Sequence, residues 1–160
     1  MSSKLKGRRT LARLLRKARR RGGKVVFTNG CFDLLHAGHV RLLRFAKRHG
    51  DLLVVGLNSD RSVRRIKGEN RPLQPETDRA ELLAGLEAVD YVTVFGERDP
   101  ERLIRALRPD VLVKGADWKK GDVVGGSFVR SYGGKVLSFP TVRGKSTTAL
   151  IQKICRRERA

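Results

Sequence analysis

Long hydrophobic runs are missing from this 160-residue chain. No apolar stretch approaches the roughly 20 residues that a membrane-spanning helix needs. The basic N-terminus lacks the apolar core of a secretion signal. The sequence therefore predicts a soluble, cytoplasmic protein. Cysteine is scarce as well: Cys31 and Cys155 are the two in the chain, far apart and without metal or redox spacing. That excludes a disulfide framework and fits free thiols in a reducing compartment. Histidine is limited to His36, His39 and His49. With Cys31 as the nearest thiol, they show no recognisable zinc-ligand spacing, so no metal site is expected.

Acidic residues are absent from residues 1–24, which hold eleven of the 36 lysines and arginines. The net charge is +20, and without that segment 25 basic residues still face 16 acidic ones. Aromatic residues are absent from the same stretch, which argues against a stacking surface for single-stranded nucleic acid. Leu11, Leu14, Leu15 and Ala18 recur at helical spacing between Thr10 and Arg21. This predicts an amphipathic helix, its apolar side docked and its charged face outward. Residues 1–23 thus read as a basic N-terminal helical extension and 24–157 as a single domain. A solvated face is the plainer reading; nucleic-acid or anionic-membrane contact is the alternative. The arm enters the first strand at its amino end, so residues 1–9 are expected to be dispensable for nucleotide kinetics.

What is present is a regular alternation. Strand-like runs fall at Val25–Thr28, Leu52–Asn58, Tyr91–Phe95, Val111–Lys114 and Lys135–Phe139. Helix-like runs lie between them, at Val40–His49, Arg61–Ile66, Glu76–Leu86, Pro100–Leu107 and about Gly126–Tyr132, with a last one from Thr147 to about Arg157. The pattern predicts right-handed βαβ units: a Rossmann-like α/β fold with a parallel sheet of about five strands and helices on both faces. Ligands of such folds bind at the carboxyl ends of the strands. The first strand runs straight into Thr28-Asn29-Gly30-Cys31-Phe32-Asp33-Leu34-Leu35-His36-Ala37-Gly38-His39. Gly38 and His39 therefore open a helix, where free backbone N–H groups and the helix dipole attract phosphate. Two imidazoles three residues apart share one face there and can donate to phosphoryl oxygens. Gly68 to Pro75, with two prolines, is the most irregular stretch and is expected to be a loop able to close over substrate. Gly144-Lys145-Ser146-Thr147 mimics the end of a P-loop, but Phe139 stands where that pattern needs glycine.

This wording resembles the HxGH nucleotidyltransferase superfamily, the cytidylyltransferase-like proteins, from about Lys24 to Ile154. Six landmarks carry the resemblance: Phe27 to Asp33, Leu57 to Asp60, Lys67 to Pro72, Leu86 to Asp90, Leu112 to Asp117 and Ser146 to Thr148. The nearest likeness is to the adenylyltransferase branch that makes ADP-heptose for lipopolysaccharide. The resemblance implies that His36, His39 and Lys67 are catalytic, steadying charge on the α-phosphoryl group. It implies that Cys31, Phe32, Gly38, Lys114, Gly115, Asp117, Ser146, Thr147 and Thr148 bind the nucleotide. Asn58, Asp60, Lys67 and Arg71 would hold the second substrate, and Trp118 would border the nucleotide or join the core. Asp33 is expected to brace the loop through backbone hydrogen bonds. Similar cytidylyltransferases carry arginines where this chain has Glu87 and Thr141, which favours ATP over CTP. The implied reaction moves AMP from ATP, with Mg²⁺, to a sugar 1-phosphate supplied by a separate sugar kinase. A homodimer is expected. Arg143 and Lys145 have no assigned role. The alternatives are a glycerol-3-phosphate cytidylyltransferase-like enzyme using CTP and a basic nucleic-acid-binding protein on a nucleotide-binding fold.

Overall fold

The computed structural model describes residues 3–115, 123–140 and 146–157. Five parallel strands form one sheet: β1 (Val25–Gly30), β2 (Leu52–Asn58), β3 (Tyr91–Phe95), β4 (Val111–Gly115) and β5 (Lys135–Phe139), in the spatial order β3-β2-β1-β4-β5. The described helices are α1 (Arg8–Arg20), α2 (Ala37–Lys47), α3 (Asp60–Lys67), α4 (Glu76–Gly85), α5 (Glu101–Leu107), α6 (Gly126–Ser131) and α7 (Thr147–Arg157). None is long and apolar enough to cross a membrane.

Side-chain alternation along the strands divides the core into two layers. Val25 and Phe27 of β1 point to the layer of Leu11 and Leu15 from α1, Leu103, Ile104 and Leu107 from α5, and Val129 from α6. Val26 between them points to the opposite layer, with Leu43 and Ala46 of α2 and Ala80, Leu83 and Ala84 of α4. Both faces are covered, as a parallel sheet requires.

The basic N-terminal segment is built into this arrangement. Leu11 and Leu15 are fully buried, each contributing about 1.5–3 kcal/mol of apolar burial, while Leu14 is half-buried. Ahead of the helix, Leu5 forms a parallel bridge to Val92, with Lys6 N–H donating to Val92 O and Val92 N–H to Lys4 O, both at 3.0 Å. The segment thus covers the open edge of β3, where backbone groups would otherwise lack partners. Arg8 closes the contact with an ion pair to Glu97 at 2.5 Å.

Strand order reverses at β1. The chain moves from β1 to β2 and β3, then returns to place β4 on the other side. β1 and β4 pair only at Val26–Val111 and Phe27–Leu112, whereas β1 and β2 pair over six positions. Beyond Phe27 the two central strands part, and a crevice opens at their carboxyl ends.

Candidate active site

The crevice receives the loop from β1 to α2. Phe32 holds a left-handed backbone at φ 45° and buries its ring. Gly30 packs closely here: a Cβ on it would come within 3.1 Å of the Phe32 ring, which would have to shift. The ring lies 5.0 Å from that of His39. The helix begins earlier than the apolar pattern suggested, at Ala37, so His36 is the N-cap residue and its side chain makes no capping bond. The first i→i−4 bond runs from Val40 N–H to His36 O, leaving the Ala37 and Gly38 amides at the open end of the helix.

His36 and His39 stack at 3.8 Å between ring centroids, 22° apart. Burial, then the neighbouring His36 and Lys67, pushes the His39 pKa down to about 4. His39 is therefore neutral at physiological pH. Its Nδ1 is enclosed and has no hydrogen-bond partner among the described residues, so Nε2 is the nitrogen left to serve a ligand. The third histidine, His49, stacks edge-on against Phe45 beyond the far end of α2.

Lys114 reaches into the gap between β4 and β1, where its ammonium donates to Asn29 Oδ1. It is 7% exposed, and burial lowers its pKa to about 8. Gly115 ends β4 beside it. A cavity of about 200 Å³ opens from these two residues between β4, β5 and α6, where Arg130, Val136 and Ser138 help to line it. Two larger grooves, of about 430 and 540 Å³, flank α1 on the side of the strands' amino ends, away from this chemistry. Burial also pushes the Cys31 thiol above its usual range.

The N-terminus of α7 meets the same loop. Thr147 Oγ1 donates to Leu34 O at 3.4 Å, and Ser146 Oγ accepts from Ala149 N–H at 3.1 Å. Thr148 is exposed. Lys67 ends α3, exposed, and Gly68 follows at φ 93°, a conformation strained for any side chain. Lys67 is close enough to lower the pKa values of both His39 and Cys31. The structure thus brings His36, His39, Lys67, Lys114, Gly115 and the start of α7 to one edge.

Three of the residues expected to hold the second substrate have partners within the chain. Asn58 is buried, and its amide donates to Ser62 Oγ at 2.9 Å. Asp60 pairs with Arg79 at 2.7 Å. Ser59 caps α3, accepting from Ser62 N–H at 3.2 Å. Arg71 pairs with Asp33 at 2.6 Å. Asp33, 1% exposed, also accepts from Leu73 N–H at 2.7 Å and Gln74 N–H at 3.2 Å. It braces the distant 68–75 loop. Asp117, Trp118, Thr141, Arg143 and Lys145 lie outside the described residues.

Sequence reasoning missed Arg79, a fully buried cation. It lies four residues before Leu83 on the inner face of α4, in line with the apolar stripe. That misfit is the available signal, and in a chain of 36 cations it does not stand out.

A histidine pair at the strand reversal, flanked by a lysine and a helix N-terminus, is built for phosphoryl chemistry. The chain belongs to the cytidylyltransferase-like family, whose profile matches residues 27–133, and is a nucleotidyltransferase. It is 54% identical over 155 residues to the bifunctional protein HldE of Trichlorobacter lovleyi, covering 97% of this chain and 32% of the relative. It is 56% identical over 152 residues to the bifunctional protein HldE of Syntrophotalea carbinolica, covering 95% and 31%. The chain thus spans about a third of the length of these curated relatives. Among solved structures it resembles the lipopolysaccharide core biosynthesis protein of Thermoplasma volcanium, at a TM-score of 0.65 and 30% identity over 76% of this chain and 99% of that one. A pantoate-beta-alanine ligase of Francisella tularensis shares the fold, at a TM-score of 0.65 and 16% identity over 95% of this chain and 78% of that one.

Proposed function

We propose that this chain transfers AMP from ATP to a sugar 1-phosphate, a heptose 1-phosphate in the first instance, giving an ADP-sugar and pyrophosphate. The observation that carries the reading is the stacked His36–His39 pair at the mouth of α2, with Lys67 beside it. The more than 50% identity to the bifunctional HldE proteins supports the choice of acceptor. Glu87, exposed before β3, supports ATP over CTP because similar cytidylyltransferases place an arginine there.

A phosphate oxygen of the acceptor attacks the α-phosphorus in line, the bond to the bridging oxygen breaks, and pyrophosphate leaves. The acceptor phosphate is already a nucleophile, so no general base is needed. The chain's task is positioning and charge stabilisation. His39 Nε2 and His36 donate toward the α-phosphoryl oxygens, Lys67 supplies a mobile cation, and the N-terminus of α7 receives the triphosphate. Among the described residues no three His, Cys, Asp or Glu side chains assemble as a metal-ligand set. Mg²⁺, when bound, would be carried by the nucleotide's own phosphates and would offset their charge. The acceptor must come from a kinase acting on the sugar. The expected assembly, a homodimer, is read by light scattering.

The test is a grid of ATP and CTP against heptose 1-phosphate, other sugar 1-phosphates and glycerol 3-phosphate, reading pyrophosphate release. The expected result is release with ATP and a sugar 1-phosphate. A clear preference for CTP with glycerol 3-phosphate would overturn the reading.

A further inference from the structure

Arg79 has no exposed surface, and its guanidinium makes four hydrogen bonds. Nε donates to Gln74 O at 2.9 Å, and Nη1 donates to Cys31 O at 2.6 Å and to Asn58 O at 2.9 Å. Nη2 donates to Asp60 Oδ1 at 2.7 Å. The three carbonyls belong to three separate segments: the start of the histidine loop, the end of β2 and the end of the 68–75 loop. Only a planar fork of donors reaches three carbonyls and a carboxylate at once; an ammonium is a point charge on a flexible stem. Asp60 is itself held, its N–H donating to Glu76 Oε2 at 2.8 Å.

Gln74 is gripped from both sides. Its N–H is bound by Asp33, a carboxylate of the histidine loop, and its carbonyl by Arg79, a cation of α4. The peptides on either side of one residue thus sit between opposite buried charges. The loop that ends there begins at the Gly68 bend, just after Lys67, and carries Arg71. Its path is set by the bend at one end and by this grip at the other. Among the described residues, none of the hydrogen bonds of the Arg79 network reaches α7.

We propose that Arg79 is the positioning residue for the acceptor side of the site: it sets where Lys67 and Arg71 stand relative to His36 and His39, and leaves the triphosphate side at α7 alone. This rests on the transferase reading for its kinetic consequence, but not for its structural one. Losing the fork frees the end of the 68–75 loop, so Lys67 and Arg71 lose their fixed place opposite the histidine loop, which α7 still holds through Thr147 and Leu34.

The experiment compares the full chain with Arg79→Lys and Asp60→Asn. Steady-state kinetics with ATP and a sugar 1-phosphate are measured beside amide hydrogen exchange, calorimetric ATP binding and thermal melting. For Arg79→Lys, the acceptor KM is expected to rise at least about tenfold and kcat to fall, with the ATP KM within about twofold. Protection of the Leu73 and Gln74 amides should fall at least about tenfold while that of Val54 and Val55 in β2 is kept. Asp60→Asn should shift the same readouts in the same direction by less, and it carries the test if Arg79→Lys does not fold. Equal rises in both KM values, or wild-type protection of the 68–75 loop in the variants, would overturn the proposal. If the unaltered protein transfers to no sugar phosphate, the transferase reading fails by itself. Hydrogen exchange and ATP calorimetry then still decide: a loosened loop with unchanged ATP affinity upholds the positioning role, and an unchanged loop removes it.

Discussion

Lowering the pH should destabilise this protein through His39. Burial, then the neighbouring His36 and Lys67, takes its pKa from 6.5 to about 4 in the folded state. The unfolded chain therefore binds a proton that the folded chain refuses between those two values. The stabilisation is complete above pH 6.5 and is lost as pH falls toward 4. At 1.36 kcal/mol per unit, the gap gives a limit of about 3 kcal/mol below pH 4, of which about 2 kcal/mol is lost between pH 7 and pH 5. His39→Asn removes the titrating ring at similar size. Urea unfolding of both proteins at pH 7 and pH 5 isolates the effect: the wild type should lose about 2 kcal/mol more than the variant. Losses equal within about 0.5 kcal/mol would show that His39 titrates normally and is not enclosed as described. A bound triphosphate favours the imidazolium and should raise the His39 pKa again. ATP binding near pH 6 should thus take up a proton, which calorimetry in two buffers of different ionisation enthalpy measures directly.

Three further outcomes are expected. His36→Ala and His39→Ala should each slow turnover at least about a hundredfold, the scale of one lost transition-state donor, and circular-dichroism melting at neutral pH should stay near normal. Full activity in either variant would remove that histidine from the mechanism. Lys114→Met should raise stability by about 1–2 kcal/mol, because burial makes the ammonium a net cost below its pKa of about 8, and should lower kcat. A destabilised or fully active Met variant would contradict that account. Deleting residues 1–9 should lower the melting temperature, since Leu5 and its backbone bonds to Val92 are lost, while the ATP KM stays within about twofold. A large rise in the ATP KM without a change in melting would place the arm in the active site.

Much of the architecture is legible in the sequence because parallel strands buried on both faces are continuous apolar runs. Leu52–Asn58 and Tyr91–Phe95 are read to the residue, as is the half-exposed edge strand Lys135–Phe139, and β1 and β4 run past their expected ends only to a closing glycine. The short segment Lys4-Leu5-Lys6 is invisible by the same logic. Three residues carry no period, and their strand pairing exists only because β3 presents an open edge. The histidine motif is local, so its place at a helix mouth could be read directly. The partners of Asp60 and Arg71 could not, because Arg79 and Asp33 reach them by tertiary packing across elements.

The sequence by itself determined the strand–helix alternation, the cationic surplus, and a histidine pair at the end of the first strand. Each is set by neighbours in the chain, through side-chain period, composition and the free amides of a helix start. Tertiary structure alone decided that β1 and β4 part after two paired positions and open the crevice. It also decided that His39 is neutral, that Lys114 is a buried cation, and that Arg79 binds three segments together. Desolvation and long-range hydrogen bonding depend on what the folded chain places around a group, and nothing in the group's own sequence neighbourhood specifies that.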